Sequence, residues 1–336
     1  MTPDSPGPVR PGRAVLAGAS GFIGAILTRE LRAEGYEVAL IGRTSPAVAW
    51  HDHAAIDAAI DGASLVINLA GKSVNCRYTE RNRAEIRRSR VDTTSTLRQS
   101  IARVASPPAL WLNSSTATIY RHAEDRPQTE STGEIGTGFS VSIATDWEDA
   151  FFAGELPQTR RVALRMAIVL GRGGALAPLV RVARLGLGGT QHDGWWFRSL
   201  FGSAGRRRAG VWHERRGTKG LQKFSWIHID DVVGIVRFIR DRPNITGVVN
   251  VSAPEPSDNR RLMGLLRRGV GAAVGLPAYR WMLEPAMWAL RTETELILKS
   301  RWVLPERLQN AGYVFRYSTL EHALDELARP APATTR

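Results

Sequence analysis

Read from its start, the chain alternates short apolar runs with amphipathic stretches. The run from Arg13 to Ala17 stops at Gly18, which suits a buried strand. Residues 24–34 then put Ile26, Leu27 and Leu31 on one side of a helix that Gly35 ends. A second apolar run follows over 36–42. Together they make a strand–helix–strand unit of roughly 30 residues, which requires a parallel pair joined by a right-handed crossover.

The alternation continues. The pattern predicts a short helix over 54–60, an apolar strand over 64–70 that meets Gly71, and a long charged helix over 81–105. It then predicts a strand over 109–114, a helix over 144–152, and a strand over 161–171 leading into a glycine-rich loop. Next come a helix over 175–185, a strand over 224–229, and a helix over 230–241 with Asp230 and Asp231 in its first turn, where the helix dipole favours them. A last strand is predicted over 247–251, and Pro277, Pro285 and Pro305 punctuate the helical segments beyond it. This order predicts an α/β fold: a Rossmann doubly wound parallel sheet with a smaller, mixed C-terminal substrate unit. The expected organisation is a disordered leader over 1–13 and a Rossmann domain over 14–185, completed by 224–252. A basic insertion loop over 186–223 and a C-terminal helical unit over 253–328 make up the rest.

Composition narrows the class. The chain has 336 residues, 43% of them hydrophobic, enough for one large domain or two. No apolar stretch reaches the ~18 residues of a spanning helix, so no membrane partner is expected. Arg10 and Arg13 ahead of an apolar run superficially resemble a secretory signal, but the glycines inside the run and the charged Arg29 and Glu30 read as strand, turn and helix. Cys76 is the single cysteine; it excludes an intrachain disulfide, fits a reducing, cytoplasmic setting, and reads as packing rather than as a nucleophile. No metal site is expected. The net charge of +13 is partly local: between Thr190 and Lys223 eight basic residues face two acidic ones, with Trp195, Trp196 and Trp212 among them. Such a segment can meet nucleic acid, an anionic surface or a phosphorylated substrate. It is read here as a solvated insertion, and a nucleic-acid partner is not expected.

The chemistry starts at Gly18-x-x-Gly21-x-x-Gly24. The first glycine lets the chain leave the strand in a tight turn, the second lets backbone approach a pyrophosphate, and the third lets helix and strand pack closely. The helix N-terminus then offers N–H donors and a positive dipole end to phosphates. The motif alone is common, but here it follows a strand and opens a helix, which is the context it needs. Arg43 follows the second strand, where an NAD-binding protein carries an acid for the ribose 2′-hydroxyl. An arginine there attracts a 2′-phosphate, so the expected cofactor is NADP(H). Asn68, Leu69, Ala70 and Gly71 end a strand at the same edge, and their small side chains leave room for a dinucleotide.

With Ser114–Tyr120 and Trp226–Val232 added, the motifs fall in the order seen in extended short-chain dehydrogenases/reductases. The segments Arg165–Gly171, Leu185–Gly189 and Leu304–Phe315 resemble an atypical, epimerase-like branch of the NAD-dependent epimerase/dehydratase-like family, which has its own C-terminal domain. The resemblance spans residues 13–328. It implies cofactor contacts at Gly18, Ser20, Gly21, Phe22, Ile23, Gly24, Gly42, Arg43, Leu69, Ala70 and Gly71. It also implies Glu85 and Arg90 of the long helix near the nicotinamide half, and backbone near Val169 closing that pocket. Extended relatives are often dimers, which makes a homodimer the expectation by analogy.

The resemblance implies a catalytic Ser or Thr, which Thr116 matches, and a Tyr-x-x-x-Lys pair within 138–149, which holds neither Tyr nor Lys. The branch also lacks the pair and carries the Trp-Glu present here as Trp147 and Glu148. Substitutes can be named. Tyr120 could donate a proton or simply pack. Lys72 could anchor a substrate anion or be solvated. His228 could shuttle protons, though a satisfied structural histidine suits its half-buried strand better. Two readings are open: an NADP(H)-dependent oxidoreductase or epimerase-like enzyme on a small-molecule substrate, or a non-catalytic NADP(H)-binding sensor or interaction protein.

Overall fold

The computed structural model describes residues 12–174, 176–193, 203–211, 217–289, 291 and 293–329. The expected leader therefore lies outside the described residues except for Gly12 and Arg13, and so do Trp195, Trp196 and Trp212.

The first half alternates as its apolar periods require: β1 (Arg13–Ala17), α1 (Phe22–Ala33), β2 (Glu37–Gly42), β3 (Val48–Ala49), α2 (His53–Ile60), β4 (Ala63–Asn68), α3 (Glu80–Arg103) and β5 (Leu110–Thr116). A 3-10 turn (Ala117–Ile119) leads on to α4 (Phe139–Phe152), β6 (Arg160–Met166), β7 (Ile168–Leu170) and α5 (Leu176–Arg184). Then come β8 (Gln191–His192), α6 (Ser203–Arg208), β9 (Lys223–Phe224), β10 (Trp226–His228), α7 (Ile229–Arg240) and β11 (Gly247–Val251). The C-terminal region holds β12 (Ser257–Asp258), α8 (Asn259–Gly269), β13 (Ala278–Tyr279), α9 (Arg280–Ala289), α10 (Glu295–Leu298), α11 (Glu306–Asn310) and α12 (Leu320–Ala328).

Seven strands form one sheet in the order β11-β6-β5-β4-β1-β2-β3, every neighbouring pair parallel. Strand side chains alternate between two buried layers. Ala14, Leu16, Leu65, Ile67, Leu110 and Leu112 meet α1 and α7, while Val15, Ala17, Val66 and Trp111 meet α2, α3 and α4. Both faces are covered, as a parallel sheet requires. No helix among the described residues is long and apolar enough to cross a membrane.

Four expectations change. The apolar run 161–171 is two strands, because Ala167 turns its N–H to Val251 and β7 leaves the main sheet to pair with β10. The run 224–229 also divides, at Ser225, whose N–H goes to the carbonyl of Arg301. The insertion 186–223 is not a plain loop: it contains β8 and α6, and Val211 is buried beside Tyr78, Ile86 and Ile143. The C-terminal region carries short strands as well as helices.

Candidate functional site

The site is built at the C-terminal ends of β2, β1, β4 and β5. Gly18 has φ +85°, and a Cβ there would lie 2.7 Å from the Leu69 carbonyl carbon. The turn therefore presses directly on the end of β4. A Cβ on Gly24 would lie 2.2 Å from the Gly18 oxygen, so helix α1 can start this close to β1 only with glycine there. Gly21 caps α1 with no side-chain hydrogen bond, which leaves the helix N-terminus open beside the exposed Ser20. Ile23 is half-buried. Phe22 points elsewhere: its ring fills the space above Gly171, Gly173 and Gly174, the loop that follows β7 and Val169. Gly42 ends β2, and Arg43 stands exposed just beyond it.

Asn68 fixes the end of β4. Its amide donates to Asn113 Oδ1 (2.7 Å) and Thr94 Oγ1 (3.0 Å), and its oxygen accepts from the Ala70 N–H (3.0 Å). Trp147 Nε1 donates to the same Thr94 hydroxyl (2.9 Å). Leu69, Ala70 and Gly71 are thereby held against the glycine turn. Arg90 lies over Gly71, with Cζ 3.1 Å from where a Cβ would stand. It donates to the carbonyls of Lys72 (3.0 Å) and Ile86 (3.2 Å) and sits 5.1 Å from the Trp147 ring centroid. Burial holds its pKa down at about 10. Glu85 instead pairs with Lys72, which also donates to Asn82 (3.1 Å), and that pairing keeps the Glu85 carboxyl below its ordinary range.

Thr116 ends β5 half-buried, its hydroxyl accepting from the Thr118 N–H (3.1 Å). Of the two roles open to Tyr120, proton donor or packing aromatic, its surroundings favour packing. It is 1% exposed, and its hydroxyl donates to Asn250 Oδ1 (2.9 Å) while accepting from Arg165 Nη1 (2.9 Å). Burial raises its pKa further. Arg165 in turn grips Glu148 through two bonds, Nε–Oε1 at 2.8 Å and Nη2–Oε2 at 2.7 Å, and Ser115 donates to the same carboxylate (2.6 Å). The Trp-Glu of α4 thus locks the helix to the sheet over the stretch where the family resemblance implies a Tyr-x-x-x-Lys pair. His228 is also structural in its contacts: Nδ1 accepts from the Asp230 N–H (3.2 Å), capping α7, and Nε2 faces Glu326 (3.2 Å).

Residues that the motifs did not single out close the site from the far end of the chain. Lys299 donates to the Thr118 carbonyl (2.8 Å) and Arg301 Nε to the Thr118 hydroxyl (3.2 Å). Ser140, at the start of α4, donates to Glu295 (3.0 Å). The insertion lies over the same region: Phe139 N–H bonds the Gly210 carbonyl (2.8 Å), and Arg206 bridges Glu284 (3.1 Å) and Glu293 (2.5 Å). Only chain folding brings these together, so no local spacing could flag them. A separate cavity of about 510 Å³, lined by Ser64, Leu110 and Arg160 among others, opens at the opposite edge, the N-terminal ends of the strands. Ligands of open parallel sheets bind at the carboxyl ends, the edge opposite to that cavity.

A seven-stranded parallel sheet carrying this glycine turn defines a Rossmann-type protein of short-chain dehydrogenase/reductase architecture. The NAD dependent epimerase/dehydratase family matches residues 14–142, and a domain of unknown function, DUF1731, matches residues 280–327. The epimerase family protein SDR39U1 of Bos taurus is 30% identical over 325 residues, covering 94% of this chain and 99% of the relative. Epimerase family protein YfhF of Bacillus subtilis is 27% identical over 321 residues, 93% of this chain and 96% of the relative. The crystal structure of human SDR39U1 (isoform 2) with NADPH aligns at TM-score 0.78 and 27% identity, covering 94% of this chain and 99% of that one. A Thermotoga maritima UDP-glucose 4-epimerase, at TM-score 0.68 and 16% identity, covering 94% of this chain and 97% of that one, shares the fold. The chain belongs to the epimerase family that includes SDR39U1, and carries an NAD dependent epimerase/dehydratase region followed by a DUF1731 region.

Proposed function

We propose that this chain binds NADP(H) across the C-terminal ends of β2, β1 and β4 and acts as an oxidoreductase or epimerase-like enzyme on a small molecule. The substrate would lie between the sheet edge and the C-terminal region. The observation that carries the reading is the glycine turn itself: with no Cβ at Gly18 and Gly24 the turn presses on the end of β4 and α1 starts close against β1, and the α1 N-terminus that this sets at the sheet edge has no capping side chain. The relative solved with NADPH supports the same cofactor.

In this reading Gly18, Ser20, Gly21, Ile23 and Gly24 hold the pyrophosphate, Arg43 the 2′-phosphate, and Leu69, Ala70 and Gly71 the adjoining ribose side. Phe22 supports the site by fixing the loop after Val169. Arg90 supplies positive charge over Gly71, and Glu85 tempers Lys72 at its rim. Thr116 orients a substrate oxygen. Bound NADP(H) supplies hydride chemistry. Tyr120 is a packing residue.

The test is titration with NADPH and NADH by calorimetry, for the wild type and Arg43→Asp. NADPH affinity is expected to fall at least tenfold in the variant, with NADH affinity unchanged or improved. No binding of either dinucleotide to the wild type would overturn the reading. The burial of Glu148 against Arg165, where a catalytic pair would stand, favours a second reading: a non-catalytic NADP(H)-binding sensor or interaction protein. NADPH oxidation with any member of a carbonyl panel would end it.

A further inference from the structure

Residues 299–303 form a fixed rail between two parts of the molecule. On one side Ala123 N–H bonds the Ser300 carbonyl (3.3 Å), Gln128 N–H the Trp302 carbonyl (2.7 Å), and Leu304 N–H the Gln128 carbonyl (3.0 Å). On the other, Arg301 N–H bonds the Lys223 carbonyl (2.9 Å), and the Ser225 hydroxyl donates to the Arg301 carbonyl (2.7 Å). An extended rail sends alternate side chains the same way. Lys299 and Arg301 accordingly converge on one residue, Thr118, two positions beyond Thr116.

Both cations are more than nine-tenths buried, at 6% and 8% exposure. Among the described residues neither has a carboxylate within ion-pair distance. Arg301 Nη1 reaches the carbonyls of Leu296 (3.2 Å) and Lys299 (3.4 Å), and Nη2 makes no hydrogen bond there. Lys299 uses one of its three donors. The carboxylate that acts on both, Glu295, lies farther off and already accepts from Ser140. Burying a charge is costly unless it is paired, and two like charges on one residue compound the cost. Capping a carbonyl and a hydroxyl needs only neutral donors. Two preorganised cations with spare donors, beside the candidate substrate position, lack a counter-ion rather than a scaffold role.

We propose that Lys299 and Arg301 form an anion-binding subsite that takes the carboxylate or phosphate of an acidic small-molecule substrate and holds it beside Thr116. The proposal rests on the substrate position inferred above and deepens it by naming the substrate's charge. Burial holds the Lys299 pKa down at about 8, so the subsite keeps most of its charge at neutral pH and loses the greater part of the lysine's share by pH 9.

The test uses thermal melts of the NADPH-saturated protein at fixed ionic strength, titrated with sodium phosphate and, separately, with sodium acetate. Prior saturation keeps the probe off Arg43. A saturable rise in Tm is expected with at least one anion, and which one responds distinguishes a phosphate from a carboxylate substrate. Lys299→Met and Arg301→Met should each weaken the apparent affinity at least tenfold, while Lys299→Arg and Arg301→Lys keep it. The wild-type response to acetate, whose charge is constant above pH 7, should weaken from pH 7 to pH 9. No saturable response of the wild type to either anion overturns the proposal even if the variants fail to fold, and so does an unchanged response in the methionine variants. NADPH affinity, measured alongside, should stay within twofold of wild type throughout. If NADPH does not bind at all, the cofactor reading fails; an anion response in the apo protein that Lys299→Met abolishes would leave the subsite standing.

Discussion

At the scale of single residues, the same side-chain types do opposite work depending on what surrounds them. Arg43, exposed at a strand end, is available to a ligand, whereas Arg165 is consumed by Glu148 and Tyr120. Glu148 carries the clearest prediction. Its carboxylate is shared between Arg165 and Ser115 in a buried layer, so Glu148→Gln leaves a buried guanidinium without its counter-charge. Breaking such a pair by removing one partner costs about 3 kcal/mol or more. Urea unfolding should show that loss, with NADPH affinity of the folded protein within twofold of wild type. A normal stability with lost activity would instead mark Glu148 as part of the chemistry. Gly18, Gly21, Gly24 and Arg43 are legible as candidates because the motif that marks each lies within one strand–helix–strand unit, whereas the bracing of Asn68 by Thr94 and Asn113 comes only with the fold. Tyr120 was ambiguous, since its meaning depends on Asn250 and Arg165, which reach it only through the fold.

At the scale of elements, periodicity located strands and helices well and misjudged where they break. Residues 161–171 are mostly apolar with no turn residue before Gly171, yet β6 and β7 serve different sheets; the break at Ala167 is set by Val251, more than eighty residues away. The insertion looked like solvated charge because arginine dominates it. Its anchoring comes from Glu284 and Glu293, buried carboxylates contributed by the C-terminal region that Arg206 meets. Helix α7 shows a legible element with a hidden dependence. His228 caps it as an acceptor, which requires an unprotonated Nδ1. Burial lowers the His228 pKa, against the opposing pull of Asp230, Glu326 and Asp231. A histidine lowered in the folded state is charged more readily when unfolded. Its contribution to stability is therefore full above the unfolded value of about 6.5 and is lost as pH falls through the folded value. Stability measured by denaturant from pH 7 to pH 5 should drop in the wild type. His228→Asn, which keeps a capping acceptor without titrating, should flatten that drop; an unchanged slope would place the titrating group elsewhere.

At the scale of the molecule, the C-terminal region is sewn to the sheet rather than hung from it. Asp231 of α7 accepts from the N–H groups of Arg316 (2.7 Å) and Tyr317 (3.0 Å), β7 pairs with β10, and the 299–303 rail is bonded on both sides. The core that α5, α8 and α12 share includes Leu170 and Trp226 from that small sheet. Elements so joined cannot expose one core without exposing the other, so cooperative loss of both is expected. A ligand that binds the folded state at 100 times its Kd stabilises it by about 2.7 kcal/mol. NADPH at that excess, held at the glycine turn, should therefore raise the melting of the whole chain by several degrees. Calorimetry should give one transition. The fluorescence of Trp281 and Trp288, exposed on α9 and far along the chain from the glycine turn, should report the same shift. Two transitions, with only the earlier or only the later moved by NADPH, would mean that the sheet and the C-terminal region fold independently. The subsite at Lys299 and Arg301 would then be assembled between separable parts, and anion binding would itself be expected to bring the two transitions together.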